Sequence, residues 1–302
     1  MSFLNNTKLS ISPIASTNDD DPTLGGETSF EQCISDMADA GYQGTELGSK
    51  YPKDARMLKQ ALSKKNLVLS SAWFSSFFTD PKSYHQSIDD FYEHASFLKL
   101  AGAEIINVCE CAGSIQQTDK SIFGEAKPIF SDVQWQRLFD GLHTIGRMAN
   151  EMSMQLSYHF HLGTGVQTDA EIQILMDNTS PKLVGLLLDT GHAYAAYARP
   201  TSLIEKYHKR INLVHLKDIR KDILAQVKHQ KMSFMAAVKA GIFTVPGDGC
   251  IDFENILPQL SHRDYKGWLV VEAEQDPQKA NPLVYAQKAK HYLINQIKVG
   301  AF

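Results

Sequence analysis

MQLSYHFH (154–161), LVGLLLDTGH (183–192), INLVHLKD (211–218) and GWLVVEAEQD (267–276) share one layout: a short apolar run of β character ending in His, Asp or Glu. Each cluster stands where a buried strand would stop. Four such endings in order along half the chain imply separate strands whose C-terminal ends aim at one point, as when a parallel α/β barrel assembles a site. Working outward, further apolar runs lie at 8–14, 43–47, 67–72 and 103–109, which makes eight strand candidates. Between them the spacing predicts helices over 29–42, 54–66, 84–102, 132–152, 169–178, 202–210 and 281–298. Several of these open on Ser or Asp and close on Gly. Eight strands alternating with helices fit a (β/α)8 TIM barrel, one domain over 1–302, better than a doubly wound sheet. No GxGxxG or phosphate-loop motif appears.

The composition narrows the function classes. The 302 residues are 43% hydrophobic and 21% charged, enough for a large core without disulfides. The formal charge of −4 and the lack of a basic stripe give no electrostatic reason to expect nucleic acid. Cys33, Cys109, Cys111 and Cys250 form no CxxC pair, and Cys109-Glu110-Cys111 reads as a strand end. MSFLNNTKLSISPIA lacks the basic-then-apolar pattern of a leader, and no run approaches the roughly 20 apolar residues of a membrane span. A cytoplasmic setting without membrane contact is the expectation.

His, Asp and Glu are also the ligand types of a divalent cation. His159 and His161 are two apart on a strand and so share a side. Asp189, after three leucines, is costly to bury unless it is paired, bound to a cation or capping the next helix. His192, one turn on, could orient Asp189 or touch substrate. His215 interrupts an apolar strand, and Lys217 shares its face as a proton donor, a substrate clamp or an ion-pair partner, whereas Asp218 would face away. Glu272 and Glu274 share a face and repel unless a cation or proton lies between them. Glu46 is a similar, weaker ending at 43–47, and Glu110 is weaker still. Asp248, between two glycines in VPGDG (245–249), reads as a carboxylate placed by a shaped loop.

The succession of strand-end His or Glu, Asp-x-x-His, His-x-Lys-Asp, a Gly-Asp-Gly loop and a final Glu resembles the xylose-isomerase-like TIM-barrel superfamily of sugar isomerases, epimerases and dehydratases. HFHLGT (159–164), GIFTVPGDG (241–249) and GWLVVEAEQDP (267–277) resemble, more specifically, its inosose dehydratase family of inositol breakdown. By position, the resemblance puts the metal ligands on His159, Asp189, His215 and Glu272. Many relatives carry Glu at the first position. A neutral imidazole there lowers the negative charge by one and suits Mn or Co over Mg, and it leaves the choice between His159 and His161 open.

The resemblance implies a hydro-lyase that removes water from 2-keto-myo-inositol (scyllo-inosose), giving a trihydroxycyclohexane-1,2-dione. Proton traffic falls to His161, Lys217 and Glu274, and substrate contacts to Glu46, His192 and Asp248. The alternative on the same site is a metal-dependent sugar isomerase or epimerase acting through an enediolate. An abasic-site endonuclease is disfavoured by the charge, and a non-catalytic sugar-binding barrel would keep no metal. Glutathione has been linked to the family, although no residue here marks a thiol-cofactor site. Related barrels often associate as homo-oligomers. The segment Trp73–Phe78 suits either a pocket or an interface.

Overall fold

The computed structural model describes residues 3–300. Its main sheet is made of β1 (Thr7–Ile11), β2 (Gly44–Glu46), β3 (Val68–Ser71), β4 (Trp73–Ser76), β5 (Ile105–Glu110), β6 (Gln155–His159), β7 (Gly185–Asp189), β8 (Ile211–Leu216) and β11 (Gly267–Val271). The short strands β9 (Asp218–Ile219) and β10 (Phe243–Thr244) pair antiparallel outside it. The main sheet runs β3-β2-β1-β11-β8-β7-β6-β5-β4, and its pairings are parallel. Its two end members, β3 and β4, are consecutive pieces of one run separated only by Ala72. The ring therefore closes through the chain itself, and eight strand positions form a (β/α)8 barrel.

Strand alternation sorts the apolar residues into two populations. Leu186 and Leu188 of β7 belong to the large core between sheet and helices, while Leu187 faces inward. Leu187 packs there with Ile105, Leu213, Trp268 and Val270 as a plug in the lower barrel. Burying each such side chain contributes about 2 kcal/mol. Gly44 makes room for the plug, because a Cβ there would lie 2.9 Å from the Trp268 ring. Above the plug the inward positions are polar: two residues on from Leu187, Leu213 and Val270 stand Asp189, His215 and Glu272.

The helix ends follow the expected chemistry. Ser29, Asp54 and Thr168 accept backbone N–H groups of the first turns at 30–39, 55–64 and 169–178, and Gly102 and Gly241 close helices with φ of 98° and 86°. Helices at Thr190–Ala195, Lys221–His229, Phe234–Ala240 and Phe253–His262 were not among the expected elements. The last carries Pro258 in its interior, which argues against a helix when read locally. Among the described residues no helix is long and apolar enough to cross a membrane.

Candidate active site

The four strand-end clusters meet at the C-terminal mouth of the barrel. His159, Asp189 and His215 offer ligand atoms that lie within 4.8 Å of one another. His159 Nε2 is 3.5 Å from Asp189 Oδ2, and His215 Nδ1 is 3.7 Å from the same oxygen. Glu272 Oε2 stands 3.6 Å from His215 Nδ1. Three of these atoms, His159 Nε2, Asp189 Oδ2 and His215 Nδ1, are buried without a hydrogen bond, and the fourth, Glu272 Oε2, meets only the Lys217 ammonium. Leaving several polar atoms dry and unpaired is costly. A divalent cation is the one group that would satisfy two imidazole nitrogens and two carboxylate oxygens together, so the residues present fit a metal.

Lys217 fills the space beside them. Its ammonium is 2.7 Å from Glu272 Oε2, 2.8 Å from Glu274 Oε2, 2.9 Å from His192 Nε2 and 3.6 Å from Asp189 Oδ2. The second grouping of ligand-type residues, His161, His192 and Glu274, thus already surrounds a cation of the chain itself. His161 Nε2 lies 3.8 Å from Glu274 Oε1, and the His161 and His192 rings are 3.6 Å apart. The structure brings His159 to the Asp189–His215 group and His161 to the Glu274–His192 group.

The motif Asp189-Thr190-Gly191-His192 carries this arrangement. Asp189 Oδ1 accepts the His192 N–H at 2.7 Å, capping the helix Thr190–Ala195 while its other oxygen faces the cluster. Thr190 Oγ1 donates to the Lys217 carbonyl at 2.7 Å and tethers β7 to the end of β8. A Cβ on Gly191 would lie 2.6 Å from Lys217 Cγ, so only glycine leaves room for the lysine stem. Asp218 faces away, as its parity requires. It accepts backbone N–H bonds from Ile219, Gly247, Gly249 and Ile251 and so builds the Gly-Asp-Gly loop.

The electrostatics divide the titratable groups. Burial drives the His159 and His192 pKa values far below the usual imidazole range, so both stay neutral. His159 therefore keeps the lone pair that a ligand needs. Burial also opposes charge on His215, but the Glu46 and Glu272 carboxylates outweigh it and raise its pKa to about 10. Burial likewise works against the Lys217 ammonium, yet Asp189, Glu272 and Glu274 overcome it and push its pKa up. Glu274 is held down at about 2, because Lys217 and His161 outweigh its burial. Glu272, sharing the same lysine, goes the other way: burial and the neighbouring Glu274 raise it.

A cavity of about 430 Å³ opens over the cluster, and Glu46, His159, His161, His215, Glu272 and Glu274 line it. Lys217 and His192 lie just beneath. Asn107 and Gln116 also line the cavity and escaped the sequence reading, whereas Trp73 comes from the segment expected at a pocket or an interface. Asn107 donates to Glu46 at 3.0 Å, and its isolated polar side chain within AEIINVC was the available signal. Trp73 sets its edge against His159 and His161, with ring centroids 5.3 and 5.7 Å away. Gln116 Nε2 is 2.7 Å from His161 Nδ1, and it sits in an irregular stretch where local pattern says nothing.

Asp248, expected at the substrate, is not among the cavity-lining residues. Its carboxylate pairs with Arg220 at 2.8 Å, Thr244 at 2.6 Å and Lys288, which draw it to the outside of the loop. Glu110 is likewise structural, accepting from Ser76, Phe78 and Thr79.

Buried histidines, carboxylates and a charged lysine at the C-terminal mouth of a parallel barrel define a barrel enzyme of the xylose isomerase-like class. The chain belongs to the xylose isomerase-like TIM barrel family, whose model matches residues 34–295, and within it to the inosose dehydratases, which are hydro-lyases. It is 50% identical over 296 residues to an inosose dehydratase of Bacillus cereus (strain AH820), covering 98% of each chain. It is 51% identical over 286 residues to that of Clostridium beijerinckii (strain ATCC 51743 / NCIMB 8052), covering 95% of this chain and 96% of the other. Among solved structures, the IOLI protein with a binding zinc atom shares the fold at a TM-score of 0.71 and 17% identity, over 96% of this chain and 98% of that one.

Proposed function

We propose that the protein removes water from 2-keto-myo-inositol (scyllo-inosose) to give a trihydroxycyclohexane-1,2-dione. The single observation that carries the substrate is the 50% identity, over 98% of both chains, to a relative named inosose dehydratase. The observation that carries the chemistry is the convergence of unpaired buried atoms on His159, Asp189 and His215, with the Glu272 carboxylate beside them. These four residues would hold a divalent cation, with Mn or Co suited to a set of two imidazoles and two carboxylates. Such a cation supplies Lewis-acid charge next to a substrate carbonyl, which acidifies the neighbouring C–H.

The chain's own residues do the rest. Glu274 and His161 line the cavity as a facing pair, an ionised carboxylate and an imidazole. They are the groups we assign to taking the α-proton and giving one to the leaving hydroxyl. Lys217 stays charged between Glu272 and Glu274, so it acts as a fixed cation that neutralises the site and holds both carboxylates. His192, neutral and hydrogen-bonded to Lys217, orients that ammonium. Trp73 walls the histidines and keeps water from their faces. The setting we propose is the cytoplasm, in keeping with four free cysteines.

The test uses protein stripped by a chelator and incubated with scyllo-inosose while dione absorbance is followed. Activity should vanish on stripping and return with Mn or Co. Full turnover in the metal-free preparation overturns the metal reading, and turnover of aldoses or ketoses in place of scyllo-inosose overturns the substrate.

A further inference from the structure

Glu46 ends β2, which β1 and β11 separate from β8 in the ring, 169 positions before His215, and yet the two side chains meet. One oxygen, Glu46 Oε1, collects three partners: Ser71 Oγ at 2.7 Å, Asn107 Nδ2 at 3.0 Å and His215 Nε2 at 3.0 Å. Ser71 and Asn107 donate, so the carboxylate is fixed from two strands before it reaches the histidine. An ionised carboxylate only accepts hydrogen bonds. The hydrogen in the Glu46–His215 contact must therefore sit on Nε2. The other ring nitrogen, His215 Nδ1, is buried, has no hydrogen-bond partner and faces Asp189 Oδ2 and Glu272 Oε2 at 3.7 and 3.6 Å.

We propose that Glu46 is a positioning residue for the cation site: it keeps a hydrogen of His215 on Nε2 and the ring in one orientation, so that Nδ1 is the nitrogen that gives up its proton to a divalent cation. This replaces the substrate contact expected of Glu46, and it rests on the metal reading above. A carboxylate behind a ligating imidazole fixes its tautomer and raises its basicity, and loss of such a partner typically weakens metal affinity about 10- to 100-fold. Asn107 and Ser71 act one step further out, by holding Glu46 Oε1 in place.

The experiment compares wild type, Glu46→Ala, Glu46→Gln and Asp189→Ala for Co(II) binding, by competition with a chromophoric chelator and by the Co(II) visible spectrum. Glu46→Ala should bind about 10- to 100-fold more weakly, with a changed spectrum. Glu46→Gln, whose side-chain oxygen still accepts the Nε2 hydrogen, should recover most of the affinity. Wild-type affinity in Glu46→Ala alongside lost binding in Asp189→Ala overturns the role of Glu46 and leaves the metal reading standing. Equal binding by wild type and Asp189→Ala overturns both. Should Glu46→Ala fail to fold, the imidazole 1H–15N spectrum of Zn(II)-loaded wild type decides. A proton on His215 Nε2 with Nδ1 on the metal supports the proposal, and metal on Nε2 overturns it.

Discussion

Replacing Lys217 by Met removes one buried ammonium and leaves its volume nearly filled. Lys217 is fully buried, 2.7 Å from Glu272 and 2.8 Å from Glu274. At an effective dielectric of about 20, each contact is worth on the order of 6 kcal/mol gross. Desolvating the lysine cancels most of that. What the substitution exposes is the cost of two like charges left buried without their partner, about 3–5 kcal/mol. For 302 residues, unfolding entropy of about 2.1 cal/mol/K per residue turns this into a Tm fall of roughly 5–8 °C.

The pH dependence gives the prediction its signature. In the wild type Glu274 titrates at about 2. Its depressed pKa contributes stability above the unfolded carboxyl value of about 4.3, lost as pH falls toward 2. In Lys217→Met the same carboxyl goes above its unfolded value, so the folded state binds the extra proton and loses stability as pH rises. The difference between the two proteins should therefore be smaller at pH 5, where the wild-type contribution alone separates them, and full near pH 8, where the raised carboxyl of the variant adds to it. Thermal melts of metal-free protein at both values measure it, and added Mn should restore part of the loss. A Tm deficit below about 2 °C at pH 8, or one equal at both pH values, refutes the reasoning.

Other expectations are more local. Gly191→Ala puts a methyl 2.6 Å from Lys217 Cγ. It should cut kcat by at least about 10-fold, because small displacements of positioned groups are expensive, and steady-state kinetics with scyllo-inosose test this. Asp248→Ala should leave kcat/KM within about twofold, since the carboxylate is outside the cavity, and cost about 1 kcal/mol or less for its partly exposed ion pairs. A large loss of kcat/KM would return Asp248 to the substrate. His94 packs against Phe74, and burial lowers its pKa to about 4. Between roughly pH 4 and 6.5 the unfolded chain binds the proton and the folded chain does not, so stability falls as pH drops through that window, by up to about 3 kcal/mol. His94→Phe should flatten the Tm profile between pH 7 and 4.5, and an unchanged slope counts against it.

Eight strand positions, the barrel and the inward-facing side chains were legible in the sequence, while β4, β9 and β10 were not. The legible features follow from local alternation: Leu186 and Leu188 go to the outer core and Leu187 to the plug because successive side chains on a strand point opposite ways. The sequence also carried the clusters, because a His, Asp or Glu at the end of an apolar run is costly unless something there uses it. Its misses were places where local pattern misleads, such as the helix at 253–262 around Pro258, or where pattern is silent, as at Gln116. Partners across the barrel came from the closed ring alone. Glu46 and His215, Lys217 and Glu274, Asp248 and Lys288 are far apart in the chain, and parity does not specify which distant atom a side chain meets. It placed His159 with Asp189 and left His161 with Glu274, a division that two histidines of equal parity on one strand end cannot express. Closure of the ring sets those distances, and with them the roles.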